Sequence, residues 1–565
     1  MAIGRLVVAA CAILCVAFPA RAYASAHIVV VNGNVPGVGF SDPTPVAPVG
    51  GNPGTTVGDQ RLRAFRFAAD RWGETLDSII DVVILATFEP LTCTATTAVL
   101  GSAGPTFVFR DFPGALLPGT WYVSALADKL TGTDVAGSDK PDIVARFNSN
   151  LGLGGCLTGT RWYLGFDQDH GANVDLVTVL EHEFAHGLGF LQTASISNGA
   201  LLDGFRDAYN RLIFDNTTGK HWDEMTDAER VASAKNPRHV VFDGATVTRA
   251  VPSVLQQGTP ILRITSPGVI AGTYAIGPAG FGQPLGSPGT IGQIVLGLDA
   301  ADAAGPSTTD GCSPFTNAAA VAGKIALVDR GTCGFVVKVK NAQNAGAIAA
   351  IIADNVAGSP PSGLGGTDAT ITIPAVRVTL ADGDTIKGQL AAGVVAMLGL
   401  DPGTRAGTEL GRALLFTPDP IQPGSSVSHW DPIATPNQLM EPSFNGDLTH
   451  SVKPPEDLTL PLLRDIGWFP DRDLDLVDDG VDECPGSDLR ATVFVGRENT
   501  GVANAFFTNG CTIADLIANV GAGAKNHGGF VSGVAHLLNS LKKAGIITGK
   551  DKGVIQSAAA RSSIP

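Results

Sequence analysis

Two histidines four residues apart, with a glutamate directly after the first, constrain this chain more than any other feature. In the stretch 177–190 an apolar run that includes Val177, Val179 and Leu180 leads into His182-Glu183-Phe184-Ala185-His186, and Gly187 and Gly189 follow. Asp175 has the short side-chain acceptor that caps a helix start, and glycine suits the residue that ends a helix. The spacing therefore predicts a helix that starts after Asp175 and ends at the glycine pair. Residues four apart share one helix face, one turn apart, so both imidazoles can reach a single Zn²⁺ at about 2.0–2.1 Å. Glu183 can lean over the open coordination position, take a proton from a zinc-activated water and pass it to a leaving amine.

A catalytic zinc takes three protein ligands and keeps a fourth position open. Two kinds of third ligand are compatible with the motif alone. A glutamate from a later segment would be Glu224, the first after Glu183, in the polar run His221-Trp222-Asp223-Glu224. A histidine just past the glycine of His-Glu-x-x-His-x-x-Gly-x-x-His would fall where this chain has Gln192. Much further on, Ser428-His429-Trp430 is followed by Asn437-Gln438-Leu439-Met440-Glu441-Pro442.

His-Glu-x-x-His-x-x-Gly-Phe, a long interruption and these two later runs together resemble the leishmanolysin family of metzincin metallopeptidases. The resemblance covers about residues 28–468 apart from the interruption. It implies a mixed α/β (α+β) metzincin-type zinc peptidase domain with Glu183 as catalytic base. It also implies His429 as the third ligand beside His182 and His186, and Met440, one of only 4 methionines, as the turn methionine beneath the metal. Residues 142–147 suit two readings equally: the edge strand to which an extended substrate adds, as the family implies, or an ordinary strand within the sheet. No tyrosine occurs beyond Tyr274, so none near Met440 can steady an oxyanion.

At 565 residues the chain is too long for one core, and roughly three or four units are expected. An amphipathic helix is expected over 59–72, with strands over 79–88, 142–147 and 162–166. Residues 27–250 then form the first part of the catalytic domain, and 404–470, with His429 and Met440, its second part. Between them, 251–403 is rich in Gly, Ala, Val and Ile and reads as an inserted domain. Its runs 323–335, with Asp329-Arg330-Gly331 and Cys333, and 338–354 resemble the protease-associated (PA) domain. The physical pattern there is strand, turn, helix, strand in an α/β unit. PA domains occur as non-catalytic inserts in secreted peptidases, so the resemblance implies no chemistry within the insert.

Residues 1–26 read as an export signal, with Arg5, an apolar run over 6–18, Pro19, and the small residues Ala22, Ala24 and Ala26. That run is shorter than the roughly 20 residues of a membrane span, and no later stretch qualifies. A secreted or periplasmic protein is expected. Beyond the signal stand Cys93, Cys156, Cys312, Cys333, Cys484 and Cys511, an even set that implies disulfides in an exported protein. They fall two by two into three regions, which favours the pairs Cys93–Cys156, Cys312–Cys333 and Cys484–Cys511.

With 53 Asp plus Glu against 38 Lys plus Arg, a formal charge of -15 and no dense basic cluster, nucleic acid is excluded as a partner. Partners are expected to be protein or peptide substrates. In 471–488, Asp471, Asp473, Asp475, Asp478, Asp479 and Asp482 around Gly480 resemble the calcium-binding aspartate repeats of thrombospondin type 3. Carboxylates at that spacing can surround Ca²⁺, and they equally suit an acidic solvated linker. Residues 489–565 carry one amphipathic helix, over 534–544, and no legible chemistry. The expectation is a secreted zinc metalloendopeptidase. Its rivals are a thermolysin-like peptidase that uses Glu224 and a catalytically inert secreted PA-domain binding protein.

Overall fold

The β-branched run that follows the first helix becomes strand β2 (Val82–Glu89), in which Val82, Ile84, Ala86 and Phe88 are buried and the residues between them half-buried. That alternation places β2 inside a sheet, and the computed structural model gives its neighbours. The structure describes residues 25–444, 447–469, 473, 479, 482–507 and 509–564. The sheet order is β1 (Ile28–Asn32), β2, β4 (Ile143–Asn148), β3 (Gly101–Pro105). Strands β1 and β4 run parallel to β2, with Ile28 opposite Val82 and Ile84 opposite Ile143. The edge strand β3 runs antiparallel to β4, with Gly101 opposite Phe147.

Two helices pack together beside this sheet. Helix α1 (Val57–Thr75) starts at Thr56, whose hydroxyl accepts from the Asp59 amide at 3.2 Å. It is longer at both ends than the expected 59–72, because the cap lies outside the apolar pattern. Helix α2 (Leu176–Leu188) carries the histidine motif and is buried along its whole length. Asp175 caps it by accepting from the Val177 amide at 3.1 Å. Gly189, at φ +121°, ends it, and Trp468 Nε1 donates to the last carbonyl, that of Leu188, at 2.8 Å. Phe65 of α1 meets Phe88, Phe147 and Phe184 with ring centroids 5.8, 4.8 and 6.0 Å apart. This aromatic cluster locks α2 against β2 and β4 at the residue next to Glu183.

One expectation is corrected here. Residues 142–147 do not form the edge strand: β4 is paired on both sides, by β2 and by β3. The edge is β3, whose sequence Gly-Ser-Ala-Gly-Pro lacks the hydrophobic alternation by which strands are recognised. The strand expected over 162–166 is likewise shorter, Trp162–Tyr163.

Residues 257–405 build an eight-stranded sheet. Its first long strand, Gln257–Ser266, pairs antiparallel with its last, Val395–Arg405, and brings Gln257 opposite Arg405. Four parallel strands stand side by side, Thr290–Leu296, Ile325–Asp329, Ala349–Ala353 and Ala375–Val378; the helix Phe335–Asn344 connects the second to the third, and the helix Leu380–Gln389 follows the last. Beyond this sheet the chain pairs Arg412–Leu414 with Val240–Phe242, so the segments on either side of 257–405 share one ladder.

The chain divides into two compact units, Ala26–Pro470 and one that contains Asp471–Pro565. The second unit has a hairpin, Thr492–Val495 with Glu498–Ala503, and the helices Ile513–Gly523, His527–Lys543 and Gly549–Arg561 around Val493, Phe530, Val534 and Ile555. The helix expected over 534–544 begins earlier, because Asn526 caps it at 2.8 Å from the Gly529 amide. Cys93–Cys156, Cys312–Cys333 and Cys484–Cys511 are disulfide-bonded. Nearly all of the export signal expected over 1–26, residues 1–24, lies outside the described residues. Among the described residues no helix is long and apolar enough to cross a membrane.

Candidate metal centre

On α2 the imidazoles of His182 and His186 project from one face with Nε2 atoms 3.2 Å apart. His429, from the segment that follows the eight-stranded sheet, brings its Nε2 to 3.2 Å from His182 and 3.3 Å from His186. The three atoms form a nearly equilateral triangle. Nitrogens bound tetrahedrally at about 2.0–2.1 Å from one zinc stand about 3.3–3.4 Å apart, so the triangle has the size such an ion requires.

The opposite nitrogens fix the tautomers. Nδ1 of His182 lies 2.8 Å from the Leu439 carbonyl, that of His186 2.8 Å from the Phe190 carbonyl, and that of His429 2.8 Å from the Ser425 carbonyl. A carbonyl oxygen only accepts, so each Nδ1 carries the proton and each Nε2 presents a lone pair toward the other two. Burial, with help from His186, pushes His182 down to about 3; burial pushes His186 down to about 4, and burial and the other two rings push His429 well below its ordinary value. Three neutral imidazoles with converging lone pairs repel one another unless a cation lies between them. The donor set therefore fits Zn²⁺.

Glu183 is buried beside this triangle. Burial raises its carboxyl to about 8, and the backbone of Ala103 on β3 opposes that rise. Strand β3 approaches α2 closely because it has no side chain at Gly101: a Cβ there would lie 3.0 Å from the Phe147 ring and 3.2 Å from Glu183 Cγ. No local sequence signal marks Gly101 or Ala103 as part of the site. Met440 is fully buried, and its carbonyl accepts from the Trp430 amide at 2.8 Å. The turn that contains Leu439 and Met440 is thus tied to both His182 and the residue after His429.

The other candidates lie elsewhere. Glu224 is exposed and accepts from the His221 amide at 3.0 Å. His221 faces Asp243, His239 faces Glu409, and His450 donates to Asp175 at 2.6 Å. Gln192 is half-buried, with its Oε1 buried. Among the described residues, His182, His186 and His429 are the only group of three or more His, Cys, Asp or Glu side chains placed to hold one metal ion. Of the aspartates expected to hold Ca²⁺, Asp471, Asp475 and Asp478 lie outside the described residues. Asp473 accepts from the Gly486 and Ser487 amides at 2.6 and 2.5 Å, and Asp482 accepts from the Cys484 amide at 2.7 Å. Asp479 belongs to the same segment.

Comparison with known proteins adds one family. Residues 291–386 match the family described as the PA domain. Over 77 residues, 12% of this chain and 8% of that protein, the chain is 44% identical to the human ER degradation-enhancing alpha-mannosidase-like protein 3. Over 108 residues it is 38% identical to the probable lipoprotein aminopeptidase LpqL of Mycobacterium tuberculosis, covering 19% of this chain and 20% of that protein. Over 148 residues it is 32% identical to vacuolar-sorting receptor 3 of Arabidopsis thaliana, covering 25% and 23%. The chain spans less than a quarter of the length of each of these relatives. Among solved structures, an aminopeptidase from Aneurinibacillus sp. strain AM-1 is 26% identical at a TM-score of 0.20, covering 26% of this chain and 31% of that one. A likeness of that extent says nothing about His182, His186 and His429.

Proposed function

We propose that this chain is an exported zinc-dependent peptidase of metzincin type that cuts peptide bonds within proteins. The observation that carries this reading is the triangle of Nε2 atoms from His182, His186 and His429, 3.2–3.3 Å on a side, with Glu183 directly after the first. Zinc held by these imidazoles would supply a Lewis acid that polarises the scissile carbonyl and eases ionisation of water.

The chain's own residues do the rest. The Glu183 carboxylate takes a proton from the attacking water and returns it to the leaving amine nitrogen. Because Gly101 of the edge strand packs close to Glu183 Cγ, the base lies beside the same strand to which an extended peptide can add through main-chain hydrogen bonds. The residues of that strand, Gly101, Ser102, Ala103 and Gly104, are small, so recognition there depends on backbone more than on side-chain fit. The disulfides suit an oxidising compartment outside the cytoplasm. The aspartate segment around Asp473 and Asp482 is proposed as a Ca²⁺ site secondary to this chemistry. The segments 27–250 and 404–470 are proposed as one catalytic domain, with 251–403 inserted between them.

A second reading, an aminopeptidase, is favoured by the name of the Mycobacterium tuberculosis relative. A fluorogenic peptide blocked at both termini separates the two. Zinc-loaded chain is expected to cleave it internally, to stop on chelation and to resume when zinc is restored. Release of N-terminal residues from unblocked peptides alone would replace the endopeptidase reading. No hydrolysis of either substrate by zinc-loaded chain would leave the inert binding protein.

A further inference from the structure

Val427, two residues before His429, is fully buried and has φ +71°. A β-branched residue strongly disfavours that left-handed conformation, and such strain persists only where surrounding contacts impose it. The contacts here are specific. The Val427 amide donates to the Phe416 carbonyl at 2.7 Å, and the Phe416 amide donates to the His429 carbonyl at 2.8 Å. The remaining polar group, the Val427 carbonyl, accepts from the Tyr209 hydroxyl at 2.8 Å across 218 residues of chain.

Tyr209 is itself fixed from two sides. Its amide donates to the Asp207 carboxylate at 2.9 Å, and the same carboxylate accepts from the amide and hydroxyl of Thr193 at 2.6 and 2.7 Å. Its ring lies 5.6 Å from that of Phe190, whose carbonyl orients His186. One buried side chain thus backs the residue that aims His186 and bonds the strained residue that precedes His429.

We propose that Tyr209 is a positioning residue of the metal centre: it holds Val427 in its left-handed conformation, and so holds His429 Nε2 against His182 and His186. The inference rests on the zinc-peptidase reading of those histidines. Without the hydroxyl, Val427 relaxes to φ below zero, the peptide before Ser428 turns, and the His429 imidazole is no longer pinned toward the other two.

The test uses the full chain, with zinc affinity measured by competition with a chromogenic chelator, peptide hydrolysis, and thermal unfolding. Tyr209→Phe keeps the ring and removes one hydroxyl. It is expected to lower zinc affinity about 10–100-fold, the range seen when partners of metal ligands are removed, and to lower kcat with little change in KM. Adding Val427→Gly to Tyr209→Phe is expected to recover most of the lost affinity, because glycine adopts φ +71° without strain. Wild-type zinc affinity in Tyr209→Phe with a lowered Tm would make Tyr209 merely structural and overturn the proposal. So would a double variant that binds zinc no better than Tyr209→Phe. A wild-type chain that retains no zinc would instead overturn the reading of the histidine site.

Discussion

His182 donates its Nδ1–H to the carbonyl of Leu439, 2.8 Å away and 257 residues further along the chain. That bond joins the motif helix to the turn that contains Met440, and the adjacent bond from Trp430 to the Met440 carbonyl brings in the segment that carries His429. The three converging Nε2 atoms are therefore oriented from two distant parts of the chain, and the first prediction follows from that.

His429→Ala is expected to lose zinc on dialysis by more than the roughly 10–100-fold that removal of an outer partner costs. Glu224→Ala and His221→Ala, whose side chains face the His221 amide and Asp243 respectively, are expected to retain the wild-type content. Zinc content of the folded variants decides between them, and loss in Glu224→Ala alone would return the site to the thermolysin-like class.

Glu183→Ala is expected to keep zinc and fold while peptide hydrolysis falls by about 10²–10⁴, because the proton acceptor and the group that orients water vanish together. Stopped assays on blocked peptides, with metal content measured in parallel, provide the check. Turnover within tenfold of wild type would remove Glu183 from the mechanism.

Gly101→Val is expected to damage both stability and rate. Its Cβ would press the Phe147 ring and Glu183 Cγ, at 3.0 and 3.2 Å. Overpacking of this kind costs about 1–3 kcal/mol. A drop in Tm together with at least about tenfold lower kcat is the expected result. A variant with wild-type Tm and rate would mean that β3 can move off α2 freely and does not position Glu183.

Asp142, 4% exposed at the start of β4, accepts from the Val83 amide at 2.9 Å. Burial and the neighbouring Asp128 carboxylate raise it to about 7. A carboxyl raised in the folded state binds its proton more tightly there than in the unfolded chain. Its contribution is therefore greatest below the ordinary aspartate value and is lost as pH rises toward 7. Asp142→Asn keeps an acceptor for Val83 and removes the charge. Its Tm relative to wild type is expected to rise by about 2–4 °C between pH 4 and pH 8. Parallel Tm profiles for the two proteins would show that Asp142 ionises normally.

Local sequence determined what depends on neighbours within a few turns of chain. The interval from His182 to His186 places two imidazoles on one helix face, Asp175 and Gly189 bound that helix, and the run 82–89 forms a strand because alternate side chains bury. Tertiary structure decided what depends on pairing across hundreds of residues. Nothing in Gly-Ser-Ala-Gly-Pro marks β3 as the edge strand, and the alternation in 142–147 invites the wrong choice, because an inner strand covered unequally on its two faces alternates as an edge strand does. Likewise Tyr209 has no motif. The role proposed for it rests on a hydroxyl that meets Val427 across 218 residues of chain, in a core where Val240–Phe242 and Arg412–Leu414 pair on either side of the eight-stranded sheet. Residue spacing along a helix or strand is geometry the backbone imposes by itself, whereas contacts closed over such long loops exist only when the folded core supplies the energy to close them.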